Sequence, residues 1–338
     1  MRYRKWFLLG MFLVGVFAPA ISSVHAQTIT KFDVPGAIAT FPTSINPAGV
    51  ITGSYFDSGS IMHRFVRDAS GAITSFDPPG SSFIPTSTIS SPTSINPAGE
   101  ITGSYTDSSL QERGFVRDAS GAFTSFDPPG SFATEPTSIN PAGEITGAYI
   151  DSVGFHGFVR DRRGAITSFD PPGSIRTDPT SINPAGEITG RYGDSGGVHG
   201  FVRDRRGVIT SFDPPGSTFT FPTSINPAGE ITGFYRGSGG VHGFVRDARG
   251  AFTSFDPPGS FSTDPTSINP AGEITGAYGG GHVHGFVRDA SGAFTSFDVP
   301  GAGTIDTIPT SINPAGEITG FYHDFFDARV AHGFVRSR

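Results

Sequence analysis

Histidines recur along this chain at a regular spacing, for example from His156 to His199 to His242. Imidazoles bind metals, anions or sugar hydroxyls, so one His per repeat is a candidate ligand-binding set. We favour a structural role, in which a ring nitrogen bonds a neighbouring loop carbonyl, because a zinc ion needs several donors within about 2.0–2.1 Å and these donors are spread around a wide circle. The six are His63, His156, His199, His242, His284 and His332, and Arg113 takes the remaining place.

His282 and His284 form the one His-x-His pair of the sequence. Two such side chains on a strand share a face, which is compatible with a weak metal site. An isolated pair has little specificity, and we expect neither a bound metal nor a cofactor.

A tyrosine ends the segment before each of these positions. Sugars stack on exposed aromatic faces, so seven such rings beside a variable loop would suit a multivalent glycan-binding protein. Each Tyr keeps register with an apolar Ile, however, which favours packing between repeats with only the hydroxyl exposed. The seven are Tyr55, Tyr105, Tyr149, Tyr192, Tyr235, Tyr278 and Tyr322.

Every repeat also has an Arg after Phe-Val, an Asp after Phe and, in six copies, a Glu after Ala-Gly, where the first copy has Val50. Repeated carboxylates suggest acid-base pairs or calcium sites. A catalytic pair needs two carboxylates in different environments so that one keeps its proton, whereas near-identical copies have near-identical surroundings. We therefore interpret the Asp as a cap of the following Pro-Pro-Gly turn, and the Arg and Glu as cross-strand ion pairs.

An asymmetric site should lie where the copies differ, in three irregular loops. No P-loop, Gly-x-Ser-x-Gly elbow, His-Glu-x-x-His motif or EF-hand loop accompanies them, so no catalytic residues are assigned. The loops are Ser81 to Ser91, Thr106 to Arg113, and His323 to Ala331, the last containing the candidate ligand-binding residues His323, Asp324 and Asp327 and the candidate exposed rings Phe325 and Phe326.

These residues are carried by a repeat marked by Ser-Ile-Asn-Pro-Ala-Gly, whose Asn stands at 46, 96, 140, 183, 226, 269 and 313. A period of about 43 residues is the size of a propeller blade. Asn-Pro-Ala-Gly and Asp-Ala-Ser-Gly suit type I turns, so each copy predicts two hairpins. In the sixth copy the predicted strands are Thr266 to Asn269, Glu273 to Tyr278, His284 to Asp289 and Ala293 to Asp298. The Gly after Ile-Thr should mark a bulge or a close backbone approach.

The two ends of the chain predict how the copies are arranged. The first predicted strand, Thr28 to Asp33, is a lone fourth strand, and the last, His332 to Arg336, is a third strand without a fourth. We therefore predict an all-β protein, a seven-bladed β-propeller of four-stranded antiparallel blades closed by the N-terminal strand joining the last blade, since a ring removes exposed edges. The alternative is an open stack of β-sheet repeats.

The recurring His-Gly-Phe-Val-Arg-Asp, Thr-Ser-Phe-Asp-Pro-Pro-Gly and Ser-Ile-Asn-Pro-Ala-Gly-Glu-Ile-Thr-Gly resemble the bacterial extracellular HAF-type repeat family over essentially the whole chain after residue 26. His-Gly-Phe replaces the His-Ala-Phe core to which the family name refers. The resemblance implies export and a propeller-like fold, and it implies no particular activity.

The N-terminus predicts a secretory signal peptide at residues 1–26, followed by a single domain at 27–338. Basic residues from Arg2 to Lys5 precede an apolar stretch that ends near Ile21, and Val24-His25-Ala26 resembles a cleavage site. An uncleaved anchor is the alternative, although this stretch is shorter than the roughly 20 residues of a spanning helix. We expect a secreted protein, extracellular or periplasmic, with no later transmembrane segment.

Composition and net charge limit the classes of molecule that this chain is expected to bind. Residues 1–26 carry three basic and no acidic side chains, so their removal takes the formal net charge from −7 to −10, which disfavours nucleic acid. The absence of Cys excludes disulfides and thiolate chemistry. We expect a monomer.

The sequence favours an exported non-catalytic binding or scaffold module that presents its variable loop face to an unknown protein or polysaccharide ligand. The alternative is a propeller-type lyase or hydrolase with a site at the mouth of the central channel. A purely structural repeat is the third hypothesis.

Overall fold

The structure is a computed structural model that describes residues 27–82, 92–301, 304–324 and 327–338. The predicted signal peptide and most of the loop Ser81 to Ser91 lie outside the described residues, as do Phe325 and Phe326. The described residues form 28 strands and no helix, which confirms the all-β prediction. They accordingly contain no helix suited to spanning a membrane.

The strands follow the sequence repeat, and we number the seven repeats as units 1 to 7 from Asn46 to Asn313. In chain order they begin with β1 (Ile29–Phe32), β2 (Ala39–Ile45), β3 (Ile51–Phe56), β4 (Met62–Arg67), β5 (Ile73–Phe76), β6 (Pro92–Ile95), β7 (Ile101–Thr106), β8 (Glu112–Arg117), β9 (Phe123–Phe126), β10 (Ala133–Ile139), β11 (Ile145–Ile150), β12 (Phe155–Arg160), β13 (Ile166–Phe169) and β14 (Arg176–Ile182). They continue with β15 (Ile188–Asp194), β16 (Gly197–Arg203), β17 (Ile209–Phe212), β18 (Phe219–Ile225), β19 (Ile231–Gly237), β20 (Gly240–Arg246), β21 (Phe252–Phe255), β22 (Ser262–Ile268), β23 (Ile274–Gly279), β24 (Val283–Arg288), β25 (Phe294–Phe297), β26 (Thr304–Ile312), β27 (Ile318–Asp324) and β28 (Asp327–Arg336).

Consecutive strands of a unit pair antiparallel, as β14 to β17 do in unit 4. From unit 2 to unit 7, a single parallel pair links each unit to the next, such as Phe155 of β12 opposite Arg176 of β14. The predicted pairing of the chain ends is confirmed, because β1 lies antiparallel to β28 with Ile29 opposite Arg336. The backbone ladders form one 24-stranded sheet and a separate four-stranded sheet of β2 to β5.

In six of the seven units the described first strand is longer than the sequence predicted, the exception being β6. In unit 6 it begins at Ser262 rather than Thr266 and runs through Pro265, where the register shifts between Pro265 and Ser267. The bulge accommodates a residue that has no N–H to donate. Opposite it, a Cβ on Gly276 would lie 2.3 Å from the Asp264 carbonyl oxygen, so the predicted bulge and close approach both occur. The residue before Pro is therefore part of the strand and not of the preceding loop.

The Asn-Pro-Ala-Gly turns join all seven units in one cycle of hydrogen bonds. Gly186 N donates to Asn183 O at 3.0 Å, as the predicted turn requires. Each Asn also donates Nδ2 to the backbone oxygen of the next unit's Asn at 3.1–3.3 Å, and Asn313 donates to Asn46. The seven first strands therefore surround one centre.

The core lies between neighbouring units. Ile188 and Phe201 of unit 4 are fully buried, and Phe169 of unit 3 meets Phe201 edge-on with ring centroids 6.0 Å apart. Burial of each such ring contributes about 1.5–3 kcal/mol. Equivalent clusters recur around the molecule, so stability comes from the contact of one unit with the next.

The predicted cross-strand ion pair between the repeated Arg and Glu is wrong. The Arg203 guanidinium lies over the Phe169 ring of the preceding unit, 4.9 Å from its centroid. The planar guanidinium stacks on the aromatic face, where burial lowers the pKa of Arg203 and leaves its Nε without a hydrogen-bond partner among the described residues. Glu187 instead accepts a 2.7 Å hydrogen bond from Asn183 Nδ2.

The antiparallel order of the strands gives each unit two edges. The links from second to third strand and from one unit to the next lie on what we call the loop edge, for example 151–154 and 170–175. The hairpin turns lie on the opposite, turn edge, for example 183–186 and 204–207.

Candidate functional site

Each repeated His is held by the Asp that follows the fourth strand. In unit 4, His199 Nδ1 lies 2.7 Å from Asp213 Oδ2. The expectation of a loop carbonyl as partner is therefore wrong, because a carboxylate occupies that place. The other five pairs measure 2.6–2.9 Å, and in unit 2 Arg113 Nη1 replaces the imidazole, 2.6 Å from Asp127.

The same Asp joins the next unit. The hydroxyl of Thr220, at the start of the first strand of unit 5, donates to Asp213 Oδ1 at 2.5 Å. Asp213 therefore bridges two units through His199 and Thr220, which is a larger role than the predicted turn cap. The hydrogen bond to Asp213 raises the pKa of His199 above its ordinary value, and Asp170 does the same to the pKa of His156.

The repeated Tyr packs against the repeated His. Tyr192 and His199 have ring centroids 5.3 Å apart, and the Tyr192 hydroxyl donates to Ser211 Oγ at 3.0 Å. Five of the seven rings are 5–8% exposed, namely Tyr105, Tyr149, Tyr192, Tyr235 and Tyr322. These rings match the packing role and offer little face to a sugar.

Among the described residues, no three His, Asp or Glu side chains are grouped as a metal ion would require. His282 is exposed in the loop before β24, while His284 lies in that strand and bonds Asp298. The His-x-His pair therefore does not share a strand face.

One position of the first strand that differs between units was not among the predicted site residues. The position before the first-strand Pro changes from unit to unit, while its neighbours repeat. We call this set the inner row, and it comprises Phe41, Glu135, Asp178, Phe221, Asp264 and Ile308. Consecutive first strands lie side by side, because Thr137 Oγ1 donates to Pro179 O at 2.9 Å and equivalent bonds recur.

The middle of the inner row is an ion and ring network. The Asp178 carboxylate forms ion pairs with Arg176, whose Nε lies 2.8 Å away, and with Arg191, whose Nε lies 3.2 Å away. The Arg191 guanidinium lies over the Phe221 ring at 4.9 Å, and Phe221 stacks on Phe234 with centroids 4.8 Å apart. Charge and aromatic surface are thus combined where units 4 and 5 meet.

An acidic group with a perturbed pKa lies beside this network. Burial raises the pKa of Glu112 to about 7, Ser104 Oγ opposes the shift by donating to its Oε1 at 2.6 Å, and the charge of Glu135 adds to it. Burial also raises the pKa values of Glu135 and Asp264. A strongly shifted carboxyl group is a candidate for proton transfer. The signal in the sequence was the variation of the position between the Thr and the Pro that the six first strands of the inner row share.

The described part of the first divergent loop meets the second, because Ser81 forms a β-bridge with Asp107, whereas the polar groups of the third loop pair separately. His323 Nδ1 lies 3.6 Å from Asp306, whereas Asp324 lies 3.6 Å from His332 Nε2 in its own unit. Asp327 begins β28 opposite Asp324, and its side chain lies outside the described set. In the second loop, Arg113 pairs with Asp107 at 2.5 Å.

Among the described residues, the loop edge carries all but one of the large exposed hydrophobic side chains. Val208, 60% exposed, is the one large exposed hydrophobic residue of the described chain at the turn edge. The other eight lie at or beside the loops of the opposite edge: Ile38, Leu110, Phe132, Val153, Phe155, Ile175, Phe219 and Phe261.

No family model matches the sequence, and no curated protein does. Solved structures match nearly the whole chain. A streptogramin B lyase is 14% identical with a TM-score of 0.60, covering 91% of this chain and 97% of that one. A catalytically inactive virginiamycin B lyase variant from Staphylococcus aureus with quinupristin is 11% identical with a TM-score of 0.63, covering 93% and 100%.

The β-propeller domain of the trilobed protease from Pyrococcus furiosus, described as having an open velcro topology, is 10% identical with a TM-score of 0.62, covering 89% of this chain and 94% of that one. Likeness at these identities concerns the fold alone. The chain has a β-propeller fold.

Proposed function

We propose that this chain is an exported, non-catalytic propeller of seven four-stranded blades that binds a polymeric ligand, such as a glycan, on its loop edge. The blade count is supported by seven repeats, by the Asn cycle and by the pairing of β1 with β28. Export and HAF-type membership stay predictions from the sequence.

The observation that carries the binding function is the one-sided exposure of apolar residues. Phe132 is 55% and Phe261 79% exposed on the loop edge. Exposed apolar patches mark interaction sites, and aromatic rings stack on the apolar faces of sugars. Because these residues belong to different units, a polymer would engage several weak contacts at once. The inner row supplies the asymmetry that a specific ligand needs.

The repeated polar groups support a non-catalytic role. His199 and its five equivalents are each committed to a carboxylate in similar surroundings. The pair in unit 1 differs in that Arg64 Nη1 also binds Asp77, at 3.1 Å, while the remaining pairs repeat one arrangement, which disfavours their division into an acid and a base.

Glycan-array binding and pull-down from cell-envelope extracts test this proposal with the secreted chain. The double variant Phe132→Ser, Phe261→Ser should lose most binding, whereas Val208→Ser, which changes an exposed residue on the turn edge, should bind as the unmodified chain does. Silence in both assays, or an unaffected double variant, would overturn the proposal.

Glu112 favours a second candidate, a propeller-type lyase or hydrolase. Its carboxyl group, with a pKa of about 7, is suited to exchange a proton at neutral pH. Incubation with quinupristin, followed by mass spectrometry, tests a lyase reaction. Product that disappears in Glu112→Gln would support it, and unchanged quinupristin would remove this substrate.

A further inference from the structure

Clefts lie between neighbouring units on the turn edge, away from the loop-edge surface. Three of them have volumes of about 240, 260 and 320 Å³. Each cleft is lined by a Glu of one unit and by an Ala of the next unit, in the turn that joins the third and fourth strands. The pairs are Glu187 with Ala248, Glu230 with Ala290, and Glu317 with Ala69, and we call these three the open clefts.

The carboxylate of each open cleft is held in place with one oxygen free. Glu230 Oε2 accepts a 2.7 Å hydrogen bond from Asn226 Nδ2, and Asn226 is fixed in the cycle through Asn269. Oε1 receives no hydrogen bond from the described residues. Asp247 lines the same cleft, and the Arg288 guanidinium there already lies over Phe255 at 5.0 Å. The cleft therefore has in its lining a carboxylate with one oxygen that the described residues leave without a hydrogen bond.

An equivalent cleft shows which group fits this oxygen. In the cleft between units 6 and 7, Arg338 Nη2 donates to Glu273 Oε1. Arg338 stands at the turn position that Ala290 occupies in unit 6. Glu273 is 8% exposed beneath it. The chain itself thus places a guanidinium group on the oxygen that is free in the open clefts.

The turn residue that faces the Glu differs between units, while the Glu itself is present in six of the seven. A Cβ on Gly143 would lie 3.3 Å from Glu100 Oε2 and 3.6 Å from Arg162 Cγ, so this Glu also faces an Arg. Glu144 likewise shares its cleft with Arg205. In unit 1, where Val50 replaces the Glu, the facing turn carries Ala119. Three Glu are therefore faced by Arg, and three are left with Ala.

We propose that the open clefts at Glu187, Glu230 and Glu317 bind guanidinium groups of arginine side chains from a partner polypeptide. Two of the clefts belong to consecutive units, so an arginine-rich segment would engage both. A guanidinium fits a carboxylate with directed, charge-assisted hydrogen bonds, which an ammonium group makes less specifically.

The test uses the mature chain and a fluorescent arginine hexapeptide, with anisotropy measured at low ionic strength because salt weakens exposed ion pairs. The triple variant Glu187→Gln, Glu230→Gln, Glu317→Gln should bind at least about tenfold more weakly, since each contact is charge-assisted. Glu273→Gln, whose cleft already holds Arg338, should bind as the unmodified chain does.

A second variant separates binding from folding. The triple variant Ala69→Arg, Ala248→Arg, Ala290→Arg should fill the open clefts, as Arg338 fills the cleft at Glu273. This variant should no longer bind the peptide, and its thermal midpoint should be equal to or above that of the unmodified chain. No binding by the unmodified chain, equal losses in the triple variant and in Glu273→Gln, or equal affinity for a lysine hexapeptide would overturn the proposal.

Discussion

His332 Nδ1 lies 2.9 Å from Asp33 Oδ2, although 299 residues separate them along the chain. The same contact occurs within unit 4, where His199 meets Asp213 across 14 residues at 2.7 Å. The junction of the two ends thus reproduces the interior of a unit. Four predictions follow from this equivalence and from the groups that depart from it.

Phe32→Ala and Phe169→Ala should destabilise the fold equally. Both rings are half-buried, both meet a fully buried Phe edge-on at 6.0–6.1 Å, and both lie beneath an Arg at 4.9 Å. Each change should lower the free energy of unfolding by about 2 kcal/mol, below the 3–5 kcal/mol typical of fully buried rings. Urea unfolding measures both, and a much smaller loss for Phe32→Ala would mean that β1 is not part of the closed fold.

Asn183→Ala should cost more stability than Asn46→Ala. Both side chains are buried and bond the next unit, but Asn183 also donates to Glu187, whereas Asn46 faces Val50. One additional charge-assisted hydrogen bond should separate the two by about 1–2 kcal/mol in denaturant unfolding. Equal losses would show that the Glu contributes nothing to the cycle.

His156 and His199 should make stability fall as the pH rises. Their pKa values in the folded protein are raised by Asp170 and Asp213. The protonated form is therefore favoured by folding, so its contribution is complete below the ordinary value of about 6.5 and is lost as the pH passes through the raised pKa. In the double variant His156→Gln, His199→Gln, the thermal midpoint should change less with pH above 6.5 than it does in the unmodified chain. His282→Gln, in an exposed loop, should keep the pH dependence of the unmodified chain. Imidazole titration by NMR that shows unshifted values would contradict this.

The unmodified chain should lose stability as the pH rises from about 4.5 to 7, and Glu112→Gln should remove this loss. Burial raises the pKa of Glu112 to about 7 in the folded protein, so folding favours the protonated carboxyl group and its contribution is lost as the pH rises through that range. Gln resembles the protonated form, and at pH 8 the variant should be at least as stable as the unmodified chain. Glu144→Gln is the control, and parallel pH profiles for all three proteins would refute the shifted pKa.

The sequence by itself determined the strands, the turns and the pairing of the two ends, because these depend on local turn residues and on a repeated apolar pattern. The first strand predicted for the sixth copy began at Thr266, which left Asp264 and its equivalents Glu135 and Asp178 outside the strand. The tertiary structure alone decided that the strand continues through a bulge and brings these carboxylates into one row.

The tertiary structure also decided the partners of the repeated polar groups. The Phe beneath Arg203 and the Thr that joins Asp213 belong to neighbouring units, and the Arg338 that meets Glu273 belongs to the next unit. A repeat shows which residues are equivalent, but the side-chain contacts between units depend on how the units pack in space. That packing follows from burial of the Phe and Ile core between units, a property of neighbouring units together and not of any single copy.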